Sequence, residues 1–300
     1  MFKNLLIYRV TAGWSAAIDQ VDAWLGETAF VECSASQEKS VGWVPPRGQA
    51  HGALVEAVDG QWLLKLMIET KAVPASVVKR KVQERVAQIE AATGRKPGKR
   101  ESRELREDAR QALLPLAFTK QASVLVWIAP QAGLLMLDAA STSKADEVLT
   151  CLVKSLPGLA LTLVQTSTSA ATAMADWLRL GEAPAGFALG RECELKAADE
   201  TQAAVRYARH PLAIDEVRQH IATGKLPTKL ALQWGDRVNF VLTDAMQIKK
   251  IGFDDGLFEG VPDSGDDGFD ADAAIATGEM RKLIPDLVAA LGGETGLEPA

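Results

Sequence analysis

Three runs in the last third of the chain, Thr228–Trp234, Arg237–Thr243 and Gln247–Phe253, alternate apolar and polar residues and are separated by Gly235-Asp236 and Asp244-Ala245. Successive side chains of a strand point to opposite faces, so each run reads as a half-buried strand. Connections this short permit only antiparallel pairing, because a parallel crossover needs a dozen or more residues. The chain must therefore build a meander here. The pattern recurs upstream, where Asp59-Gly60 joins Leu54–Val58 to Gln61–Glu69 in a predicted hairpin. Gln121–Ile128 and Leu134–Asp138 form another, Phe2–Val10 reads as a strand, and a weaker β region spans Phe187–Tyr207. Gly42-Trp43-Val44-Pro45-Pro46 reads as a turn, since consecutive prolines end any regular element.

Helices are predicted between these units: from a Ser15 cap to about Leu25, then Pro74–Ala92, Glu101–Leu114, Lys144–Leu156, Thr172–Leu180 and Ile214–Ala222. A last helix runs through about Leu291 and ends at Gly292-Gly293. No regular βαβ rhythm is present. The expected fold is α+β, with β-hairpins and meanders alternating with helices. Two β-β-α units, at about 54–92 and 121–156, hint weakly at a duplication.

Charge is distributed unevenly along this frame. Lys71–Lys120 carries thirteen Lys/Arg against six Asp/Glu, whereas Gly252 to the last residue carries two against twelve. The formal net charge of −6 thus conceals +7 in one block and −10 in another. An averaged acidic balance would argue against a polyanion partner, but a partner meets a patch. On the first predicted helix Val78, Val82, Val86 and Ile89 share one face, which leaves Lys79, Arg80, Lys81 and Arg85 to face outward. Arg95, Lys96, Lys99, Arg100, Arg103, Arg106 and Arg110 continue the positive surface through a tight loop and the second helix. The bland alternative is a solvated helical pair laced by ion pairs such as Arg100 with Glu104. The organisation expected is an α+β lobe over 1–70, a projecting basic helical hairpin over 71–120, and central and C-terminal α+β lobes over 121–300 with an acidic end.

Catalytic motifs do not assemble. Gly94–Lys99 is one residue short of a phosphate loop, and Arg100 stands where Ser/Thr would bind magnesium. Asp263–Gly268 has Gly265 at the third calcium-loop position and Ala274 at the twelfth, where Glu is required. Asp138, Asp254 and Asp255 would serve two-metal chemistry only if the fold gathered them. His51, His210 and His220 lack metal or triad spacing, and His210 in Arg206–His210 suits a phosphate contact as well as a solvated turn. No cofactor or metal is expected. Cys33, Cys151 and Cys193 are too few and too scattered for a disulfide framework. With no signal-peptide layout and no apolar run of membrane-spanning length, a cytoplasmic protein without membrane contact is expected. Most of the seven tryptophans fall in apolar periodic segments and read as core. Nucleic-acid binding, if present, would be directed at the backbone.

Several segments together resemble the recombination-associated RdgC family of bacterial nucleoid proteins. Phe2-Lys3-Asn4-Leu5 with Tyr8-Arg9 matches its opening strand, and Gly42–Pro46 its turn. Leu113-Leu114-Pro115 with Ala117-Phe118 matches the segment before its central strands, and Thr228–Leu232, Trp234, Arg237 and Phe240-Val241 its late meander. Phe269–Asp272, Thr277-Gly278-Glu279 and Ala290–Glu294 match its C-terminal helix. The resemblance implies an elongated, multi-lobed subunit that forms a ring-shaped homodimer around double-stranded DNA. It also implies sequence-nonspecific binding, restraint of RecA-promoted recombination and association with the nucleoid, without catalysis. Phe118 would lie at the contact that closes the ring, and basic residues of Arg206–His210 would serve DNA-related function. Leu116 stands where the family commonly has arginine, and Ala273 where an aromatic often follows the Asp-Ala-Asp run. Combining both readings, the expected phosphate contacts are Lys79, Arg80, Lys81, Arg85, Arg206, Arg209 and Lys229. Two rivals remain: a metal-dependent nuclease using the acidic loop, and a module that contacts RecA directly through its charged helices.

Overall fold

The computed structural model describes residues 1–259 and 266–296. β1 (Asn4–Val10) is followed by α1 (Ile18–Gly26), β2 (Lys39–Val44), β3 (Val55–Val58) and β4 (Gln61–Lys71). Next come α2 (Ala75–Thr93), α3 (Lys99–Leu113), β5 (Thr119–Ala129), β6 (Leu134–Leu137) and α4 (Thr142–Ser155). The chain continues through β7 (Leu161–Leu163), α5 (Ala170–Leu180), β8 (Phe187–Ala197), β9 (Ala204–Ala208) and α6 (Asp215–Ala222). It ends with β10 (Lys225–Trp234), β11 (Val238–Thr243), β12 (Ile248–Phe253) and α7 (Asp266–Ala290). The fold is α+β, as expected.

The strands form one antiparallel sheet in the order β2-β4-β5-β6-β1-β12-β11-β10-β8-β9, with β3 beside β4 and β7 beside β1. β1 joins the halves: Asn4 and Leu5 pair with Lys249 and Ile248 of β12, and Leu6–Arg9 pair with β6. Its alternation sorts the core. Leu6 and Tyr8 point to one side with Trp43, Leu64, Leu66 and Val126, under α1 and α4. Leu5 and Ile7 point to the other with Leu63, Trp127, Leu230 and Phe240, under α5, α6 and α7. Burial stabilises by about 1.5–3 kcal/mol per large apolar side chain, so these two layers, rather than surface ion pairs, hold the fold.

Local chemistry sets the turns. Asp59 and Gly60 both take positive φ, 48° and 71°, as the tight hairpin between β3 and β4 requires. Gly42 lies so close to Phe30 that a Cβ there would sit 2.4 Å from the Phe30 Cα, so the opening loop fits only against glycine.

Some expectations need correction. Gly42–Val44 belongs to β2, and the turn begins at Pro45; the strand is set by long-range pairing to Lys65–Met67, which overrides the local turn signal. α1 starts at Ile18, where Gln20 Oε1 accepts from Ala17 N at 3.1 Å, so Ser15 lies outside the helix. The suggested duplication does not hold in space: α4 buries Ala145, Val148 and Leu152 in the core, whereas neither core cluster contains a residue of α2 or α3. All three cysteines are free, and burial pushes the Cys193 thiol up to about 11. Among the described residues, no helix is long and apolar enough to cross a membrane.

α7 straps the halves together. Arg237 makes two hydrogen bonds to Glu279, at 2.6 and 2.8 Å, and Trp234 Nε1 donates to Asp286 at 2.9 Å. From the other half, Arg47 pairs with Asp270 at 2.6 Å and Arg9 grips Glu294 just beyond the helix. Asp270, Glu279 and Glu294 of the acidic block are thus turned towards cations of the body.

Candidate nucleic-acid interface

The basic segment folds as a helical arm. Pro74 precedes the first turn of α2, and Gly94, left-handed at φ 69°, ends it. Of Gly94–Lys99, the phosphate-loop look-alike, Gly94–Gly98 is the turn between the helices and Lys99 opens α3. Val78 on α2 and Ala109 on α3 are buried between them, and Val82, Val86 and Ile89 are partly covered. Lys79, Arg80, Lys81 and Arg85 are all exposed, as the valine stripe implied. Arg85 donates to Gln88 at 2.9 Å.

Ion pairing consumes part of the arm's charge. Arg95 bonds Glu101 at 2.8 Å and holds that carboxyl below its usual range, and Arg100 meets Glu104 at 3.1 Å. Lys96 lies 3.8 Å from Glu90, and Arg110 ties the arm to Glu38 of the body at 2.6 Å. Lys79, Arg80, Lys81, Lys99, Arg103 and Arg106 make no ion pair among the described residues. The solvated-face reading accounts for four cations and leaves these six together with Arg85, whose side-chain partner Gln88 is neutral.

The second group lies elsewhere. Cys193, Leu195 and Leu230 face the core, so alternation turns Glu194, Arg206 and Lys229 to the opposite face of β8–β10, which no helix of that core covers. Arg206 Nε and Lys229 Nζ converge on one carboxylate oxygen of Glu194, at 2.5 and 3.2 Å. Burial works against ionisation of Glu194, but hydrogen bonds from Lys229, Thr228 and Arg206 overcome it and hold the carboxyl below its usual range. This trio is therefore less cationic than the sequence suggested. Arg209 adopts a left-handed φ of 56°, and its carbonyl accepts from Arg191 Nη2 at 3.0 Å. His210 turns Nδ1 to the Pro211 carbonyl at 2.8 Å.

One subunit does not bring the two groups together. Five steps of the sheet separate β5, at the arm's root, from β10. At about 4.8 Å per step they span roughly 24 Å. Phe118, at the arm's exit, is 92% exposed and Leu116 beside it 78%, an unusual pairing of large apolar side chains in solvent.

Among the described residues, the chemistry of the rival nuclease finds no gathered carboxylates. Asp138 accepts from the backbone of Lys3 and Asn4 at 3.2 and 2.8 Å, and Asp254 accepts from Gly256 N at 3.0 Å. Among the described residues, no group of three or more His, Cys, Asp or Glu could hold a metal ion. The calcium-loop look-alike Asp263–Gly268 falls largely outside the described residues. A cleft of about 690 Å³ between α4 and the β11–β12 turn carries Asp146 and Asp244 but no cation, which does not suit a phosphate.

Sequence reasoning missed Glu194, whose partners lie 12 and 35 residues away and leave no local signal. It also missed that β5 extends to Thr119. A family model described as "Putative exonuclease, RdgC" matches residues 1–294. The chain is 46% identical over 299 residues to a recombination-associated protein RdgC of Dechloromonas aromatica, covering 98% of each chain. It is 44% identical over 296 residues to one of Cupriavidus pinatubonensis and 40% over 297 residues to one of Bordetella pertussis, again covering 98% of each chain.

Proposed function

The chain belongs to the RdgC family, and on that premise we propose that it is a sequence-nonspecific double-stranded DNA-binding protein. In this reading two copies form a ring around the duplex and restrain RecA-promoted recombination by occupying DNA, in the cytoplasm at the nucleoid. The observation that carries the reading is the set of exposed, unpaired cations on α2 and α3, presented on an arm that contributes nothing to the core. Such groups attract phosphates without reading bases. Lys79, Arg80, Lys81 and Arg85 are assigned the principal contacts. Arg206, Arg209 and Lys229 supply a second set across the hole, with Glu194 moderating two of them. Phe118, apolar and solvent-exposed, is assigned to the contact between copies.

The test is duplex affinity as a function of salt, on two unrelated sequences. The logarithm of affinity should fall with the logarithm of salt by about 0.9 per phosphate contacted, equally for both sequences. Replacing Lys79, Arg80, Lys81 and Arg85 by Gln should flatten that slope. A shallow slope in the unaltered protein would favour a module that contacts RecA directly. The family description favours a nuclease as second reading. Sustained cleavage of linear duplex with magnesium or manganese, lost in Asp254→Ala, would establish it.

A further inference from the structure

β5 has an unusual edge. From Thr119 to Ile128 it pairs with β4, but on its other side β6 covers only Val126–Ala129. The Lys120 carbonyl faces β4, where Thr70 Oγ1 donates to it, and the Leu125 carbonyl faces the opposite way, accepting from Asp138 N at 2.9 Å. Backbone groups alternate sides along a strand, so the N–H and C=O of Thr119, Gln121 and Ser123 point outward. None has a backbone partner on that side among the described residues, and all five residues from Thr119 to Ser123 are exposed. An open edge of this length invites another strand.

We propose that this edge pairs antiparallel with the same edge of a second copy about a two-fold axis at Gln121, so that one sheet runs through both subunits. The inference rests on the homodimeric reading above and adds the backbone register of the contact. Self-pairing centred on Gln121 uses every outward group: Thr119 lies opposite Ser123 of the second copy, and Gln121 opposite Gln121. It sets Lys120 opposite Ala122, avoiding like charges face to face. It also sets Phe118 opposite Val124, on the core face shared with Ile68, which covers the aromatic ring left in solvent by the single chain. A register shifted by one residue would turn the outward groups away from each other.

Crosslinking tests the register. Thr119→Cys and Ser123→Cys in one chain lie about 13 Å apart at about 3.3 Å per residue, beyond disulfide reach. They can meet only across the axis. Mild oxidation should convert most of the double variant to a reducible dimer, while each single variant gives no more than the unaltered chain. A protein that sediments as a dimer and binds duplex, yet gives no crosslink in the double variant or equal crosslinking in the singles, would overturn the strand pairing and leave the functional reading standing. A chain that is monomeric at DNA-binding concentrations would overturn both. Ser123→Pro removes an outward N–H without touching the ladder to β4 and should weaken dimerisation more than tenfold; unchanged dimerisation would also overturn the pairing.

Discussion

Glu194 shows how one residue alters a patch that sequence can only count. Its carboxylate neutralises part of Arg206 and Lys229, two of the expected phosphate contacts. Glu194→Gln should therefore raise duplex affinity several-fold at low salt and steepen the salt slope by up to about one contact, read by titration across salt concentrations. Glu279 supports the fold instead. The Arg237 hydrogen bonds hold its carboxyl below the usual range, with burial opposing them. A depressed carboxyl contributes stability above its unfolded pKa and loses it as pH falls through the folded one. Glu279→Gln should cost about 1 kcal/mol at neutral pH, discounted for the half-exposed guanidinium, and nothing at strongly acidic pH, measured by denaturation across pH. Asp138 acts oppositely: burial raises its pKa, so protonation on acidification favours the fold. Ser155 illustrates buried polar pairing, accepting from Trp43 Nε1 at 2.9 Å beside the Thr28 hydroxyl. Ser155→Ala should cost about 1–3 kcal/mol by orphaning the indole N–H, read as a lowered denaturation midpoint.

At the scale of elements, the arm stands apart from the rest. α2 and α3 bury only Val78 and Ala109, and the Arg110–Glu38 ion pair ties the arm to the body. Few buried contacts mean cheap local opening. Amides of α2 and α3 should exchange with solvent orders of magnitude faster than those of β4 in the same protein. Equal protection would contradict an arm stabilised independently of the sheet. The arm was legible in the sequence because its signals are local: proline at the start, glycine at the end and a valine stripe between. The meander and the Asp59-Gly60 hairpin were legible for the same reason. β2 and β7 were not. β2 exists because β4 pairs with it, across a glycine and next to prolines that read locally as a turn, and three-residue β7 is held by Tyr8–Val10 across the chain. The free edge of β5 was hidden because Thr119–Gln121 is polar and carries no strand alternation, although β4 pairs with all of it.

Across the whole molecule, charge is sorted by place. The acidic helix is tied by Arg47, Arg237 and Trp234 to the helix-covered side, while Lys79, Arg80, Lys81, Arg85, Lys99, Arg103 and Arg106 stand on the arm without an ion pair among the described residues. The separation between the arm and the Arg206–Lys229 group is too wide for one compact patch, and suits contacts on different sides of an enclosed duplex. Phe118→Ser should leave the fold of the subunit intact, because the ring is exposed on the single chain, yet shift sedimentation towards monomer and shorten retention on DNA. Enclosure makes release depend on free DNA ends. Complexes formed on a relaxed circular duplex and on the same molecule cut once should be challenged with high salt and their half-lives compared. A ring should persist on the circle and slip from the free ends of the linear form. Equal half-lives on both would contradict it.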